Sequence, residues 1–156
     1  MSTEGKIVGL CIRPGRRETP EERRALVLVP GTGVVDDHGT SEKRQITIMA
    51  KEAWTDAAST VDGTLPWTAR RANVLVEGVD LGSLLLGGRL TLGACEIEVV
   101  GETYPCDQMD EACDGLKAAL LPETRGGVYG RIVAAGTIAI GDAAGVAQVG
   151  KKKQLP

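Results

Sequence analysis

Apolar runs in this chain are short, and nearly all of them stop at a glycine or a proline. KIVGLCI (6–12), ALVLV (25–29), RQITIM (44–49), ANVLVEG (72–78) and RLTLG (89–93) are each followed by turn-forming or polar residues. Such lengths suit strands, whereas a helix that buries one face needs a longer periodic segment. CEIEVVGETY sets Ile97 and Val99 against Glu96 and Glu98, the period-two pattern of a strand with one wet face. Three closing strands are read in VYGRIVAAG, TIAIG and GVAQVG, the first two joined as a hairpin around Gly136.

Helical patterns are few. AKEAWTDAA (50–58) has helix-favouring residues and is closed by Thr60 and Gly63. Residues 107–121 are expected to be helical, with Asp107 as cap and Met109, Ala112, Leu116, Ala119 and Leu120 at roughly helical spacing. DLGSLLLGG reads as a turn or short helix, and the two prolines of RPGRRETPEER keep that segment a loop. About eight short strands with a few short helices point to a mainly β fold, a closed or partly open barrel. No βαβ alternation with a glycine-rich strand-to-helix turn is present, which disfavours a dinucleotide-binding fold.

At 156 residues the chain is expected to form one domain over 1–150, followed by a basic C-terminal tail, 151–156. No run approaches the roughly 20 apolar residues of a membrane span, and the polar start MSTEGKIVGL does not resemble a signal peptide. A cytoplasmic protein is the expectation. Net charge is −3 and aromatic residues are scarce, with no Phe, so a nucleic-acid binder, which wants a basic field and stacking rings, ranks low.

Cys11, Cys95, Cys106 and Cys113 show no C-x-x-C and no zinc-type spacing with His38. Cys11 and Cys95 lie in apolar strand-like runs and read as buried small hydrophobes. Cys106 follows Pro105 directly and precedes a helix-prone segment, whose first N–H groups would favour a thiolate. Core filling and a reactive thiol both remain open at that position.

Three further segments carry polar chemistry. In TARRANV (68–74) Arg70 and Arg71 lead into a strand, on which Arg71 and Asn73 would share one face and offer paired donors to a phosphate, a pterin or a carboxylate. DDHGTSEKRQ (36–45) could hold an anion through Lys43 and Arg44, or a cation through Asp36 and His38. In ETRGGVYGR (123–131) Gly126 and Gly127 allow close backbone approach and Arg125 could meet an anion. Solvated arginines and ordinary turns account for these features equally well.

In order along the chain, DDHGTSEKRQITIM, TARRANVLVEGVDLGSLLLGGRLTLGACEIEV, YPCDQMDEACDGL and RGGVYGRIVAAGTIAIGD resemble a MOSC domain, the module named from the C-terminal region of molybdenum cofactor sulfurases. The similarity spans about residues 5 to 145. It departs in the first loop, where Val35-Asp36-Asp37-His38 stands for the family's common Gly-Asp-x-His. The resemblance implies a barrel-like β fold and matches Cys106 to the family's characteristic cysteine. It implies a persulfide on that cysteine, received from a pyridoxal-phosphate cysteine desulfurase and passed to a molybdoenzyme or cofactor acceptor. Some relatives instead bind the molybdenum cofactor, with this cysteine ligating the metal, and reduce N-hydroxylated compounds. On either reading Lys43, Arg44, Arg70, Arg71, Asn73 and Arg125 are the expected cofactor- or anion-binding residues. A third reading is a non-catalytic barrel that docks an anion or a partner.

Overall fold

The alternation of apolar and polar side chains decides which way each strand faces. In Cys95–Glu102, Ile97 and Val99 are buried while Glu96 and Glu98 are half-exposed. The computed structural model describes residues 4–15, 18–38, 41–61, 64–83, 87–103, 107–121 and 127–150. The strands are β1 (Glu4–Ile12), β2 (Glu21–Glu22), β3 (Ala25–Val29), β4 (Gly33–Val34), β5 (Ile46–Ala50) and β6 (Val74–Glu77). They continue with β7 (Arg89–Leu92), β8 (Cys95–Glu102), β9 (Val128–Ala134), β10 (Gly136–Ala139) and β11 (Ala143–Gln148). The helices are α1 (Lys51–Ser59), α2 (Asp107–Ala112) and α3 (Leu116–Leu120).

Seven strands close a barrel in the order β11-β7-β8-β9-β5-β6-β1, and β1 pairs back to β11. Closure removes the sheet edges that an open sheet of this size would expose. Every pair around the ring is antiparallel except β5 with β6. A parallel pair needs a crossover, and α1 supplies it. The helix begins at Lys51, directly after Ala50 ends β5, so no glycine-rich loop intervenes. β3, β4 and β10 form a separate three-stranded sheet.

Two apolar clusters result. Ile7, Leu10, Ile48, Val74, Val76, Leu90, Leu92, Ile97 and Ile132 belong to the main core. Met49 and Leu75, the alternate positions of β5 and β6, instead join Trp54, Ala57, Met109, Leu116 and Leu120 in a second cluster formed with the helices. All five residues of β5 are therefore buried, as a strand covered on both faces must be.

The structure corrects two expectations. β9 and β10 do not form a hairpin: β9 pairs with β5 and β8, and β10 pairs with β3. Ala135 alone separates them, fewer residues than the shortest common hairpin loop needs, so the chain turns a corner between sheets. The helix expected over 107–121 is two helices. Gly115 adopts φ 85° between them, a left-handed conformation that stops a helix and lets the next segment redirect Leu116 and Leu120 inward. The Asp110 carboxylate accepts the Lys117 N–H at 3.1 Å, satisfying a donor in the first turn of α3. The basic tail 151–156 lies outside the described residues.

Gly127 shows why the run before β9 is glycine-rich. It has φ 91°, and a Cβ there would sit 2.2 Å from the Ile48 carbonyl oxygen. Gly127→Ala is expected to destabilise the protein by roughly 2 kcal/mol or more, combining left-handed strain with a backbone clash. Urea unfolding measures this, and an unchanged midpoint would contradict the close packing of β9's start on β5.

Candidate functional site

The segment carrying Cys106 follows the end of β8 in the sequence. Residues 104–106, and with them Cys106, lie outside the described residues, as does Arg125 within 122–126. The residue before that segment is held tightly. Thr103 is 4 % exposed, its N–H donates to the Gly127 carbonyl at 2.8 Å, and its carbonyl accepts from Arg70 Nη2 at 3.0 Å. Its hydroxyl oxygen is buried without a hydrogen-bond partner. Arg70 is itself 8 % exposed and ends the 3-10 turn Trp67–Arg70, which packs against α2.

Arg71 and Asn73 do not share a strand face, because β6 begins only at Val74. Arg71 takes φ 65° and caps the 3-10 turn in the left-handed region, which breaks the alternation expected through TARRANV. Its guanidinium donates to the carbonyls of Glu18 at 2.5 Å and Gly15 at 3.1 Å. Burial first, and then the nearby Arg13 charge, lower its pKa from the usual arginine value. Asn73 is fully buried. Its Oδ1 accepts from the Thr47 N–H at 3.0 Å and the Thr47 hydroxyl at 3.2 Å, and its Nδ2 donates to the Cys11 carbonyl at 3.2 Å. The amide therefore ties β1, β5 and the start of β6 together and does not join the Arg71 guanidinium in one receptor.

The loop 36–45 packs beside the end of β1. Arg13 grips the buried Asp37 carboxylate with Nε and Nη2 at 3.3 and 2.7 Å, and the Arg13 N–H adds a third bond at 2.7 Å. Asp36 turns away toward Arg23, 3.6 Å off, and His38 is exposed while its N–H donates to the Arg13 carbonyl. Among the described residues no group of three metal-ligating side chains forms, so Asp36 and His38 do not recruit a third ligand. Lys43 is exposed, and the Arg44 guanidinium lies 5.2 Å from the centroid of the Tyr129 ring. Gln45 is buried, donating to Glu42 and accepting from the Ile132 N–H of β9.

The described cysteines fall into two kinds. Cys11 and Cys95 are buried, as the apolar runs around them implied. Burial, reinforced by Glu22 and Asp37, pushes the Cys11 thiol from an ordinary 9.0 up to about 11, against the opposing pull of Arg13 and Arg71. Burial, then Asp142, raises Cys95. Cys113 is half-buried just past α2, its N–H bonded to the Met109 carbonyl. Thr103 and the Arg13–Asp37 grip were not visible as functional features in the sequence. Thr103's one signal is its place three residues before Cys106, and Arg13 and Asp37 are 24 residues apart.

The family model described as MOSC domain matches residues 35–144, more than two thirds of the chain. Among solved structures, the YuaD protein of Bacillus subtilis has a similar fold, with a TM-score of 0.78 and 23% identity over 92% of this chain and 95% of that one. YiiM from Geobacillus stearothermophilus has a TM-score of 0.72 and 14% identity, over 92% of this chain and 75% of that one. YiiM from Escherichia coli has a TM-score of 0.67 and 13% identity, over 91% and 69% respectively. No curated protein matches the sequence.

Asn73→Ala strands the Thr47 N–H and the Cys11 carbonyl, and roughly 3 kcal/mol of stability should be lost in urea unfolding. Cys11 gives a pH signature. Its unfolded thiol ionises near 9 while the folded one keeps its proton to about 11, so the folded state binds more protons in that window. The contribution is complete below pH 9 and disappears as pH rises to 11, a loss on the order of 2 kcal/mol. The fall in urea midpoint across this range should be shallower in Cys11→Ala, and equal slopes would refute the assignment.

Proposed function

The chain belongs to the MOSC domain family, and from that premise we propose that it is a sulfur carrier with Cys106 as the residue that holds the sulfur. What supports the choice of Cys106 is the state of the other thiols. Cys11 and Cys95 are buried with raised pKa values, which keeps them protonated and unreactive at neutral pH. Cys113 follows α2 and is not the position that the MOSC resemblance matches.

In the loading step the Cys106 thiolate attacks the terminal sulfur of a persulfide on a cysteine desulfurase. A new S–S bond forms to Cys106, the donor's S–S bond breaks, and the donor cysteine leaves as a thiolate. Transfer to an acceptor thiolate repeats the exchange with Cys106 as leaving group. Delivery of free sulfide to a metal-sulfur or molybdenum centre additionally takes two electrons from a thiol reductant.

A resident molybdenum cofactor would need cations converging on its phosphate and a soft ligand for the metal. Among the described residues the cations named for that role do not converge. The Arg70 guanidinium lies on the Thr103 carbonyl, Arg71 on those of Gly15 and Glu18, and Arg44 over Tyr129. The Asn73 amide is occupied within the fold. These contacts are among protein groups, Cys106 and Arg125 lie outside the described residues, and no step is assigned to that group.

Incubation with a cysteine desulfurase and isotopically labelled cysteine, followed by peptide mass spectrometry, should place sulfane sulfur on Cys106. Cys106→Ser should abolish loading, and Cys113→Ser should leave it within about twofold. Equal loading of Cys106→Ser would sink the carrier reading. Stoichiometric molybdenum and pterin in protein from a cofactor-competent host would favour the oxidoreductase activity of some relatives instead.

A further inference from the structure

We draw no further inference here: the strongest candidate, the outer face of the β3–β4–β10 sheet, where the exposed Val27 and Val35 lie side by side and the Val35 N–H bonds to the Val27 carbonyl, has nothing in the structure to show what covers it.

Discussion

The parallel seam between β5 and β6 pairs Ile48 with Val74, Met49 with Leu75 and Ala50 with Val76, and one buried side chain, that of Asn73, ties its entrance to β1. The Asn73 N–H and carbonyl bond to Thr47 of β5 and Cys11 of β1, while its amide bonds to the same two residues again. A parallel pair forms only after a long crossover, so its two strands have no tight turn to set their register. Asn73 supplies that register from the residue just before β6. A hydrophobic side chain of the same size would leave the Thr47 N–H and the Cys11 carbonyl without partners in the core.

The directions of the neighbouring arginines follow from that anchor. With Asn73 held inward, the left-handed turn at Arg71 reverses the chain within two residues. Arg70 is thereby sent to the end of β8 and Arg71 to the loop after β1. Two adjacent guanidinium groups of identical chemistry thus bond to carbonyls in different parts of the structure. The helical flank acts in the same way on the other side. Its apolar cluster against Met49 and Leu75 sets α2 next to the turn that carries Arg70.

The distribution of charge sets how firmly the buried thiols hold their protons. Cys11 sits among carboxylates as well as arginines and in a dry interior, so its proton is held more firmly than in water. Arg13 meets both oxygens of the buried Asp37 carboxylate, an arrangement in which one partner without the other would be costly. These loops around the end of β1 are polar because they are built from mutually satisfied pairs.

Much of the architecture could be read from residue order. Strand-length apolar runs broken by glycine, the wet face of β8 and the burial of Cys11 and Cys95 all depend on local pattern, and local pattern survives folding. The ordered set of segments also carried the MOSC resemblance. Partnership was not legible. That β10 joins β3 and not β9, that residues 107–121 bend at Gly115, and that Asn73 spends its amide on β1 and β5 depend on contacts between residues far apart in the chain. The same holds for the site. The Pro-Cys step marked Cys106 as a candidate, with core filling and a reactive thiol both open until the MOSC resemblance favoured the thiol. The placement of Arg70 on the Thr103 carbonyl, and the burial of a hydroxyl beside it, were decided only when barrel closure brought positions 70 and 103 together.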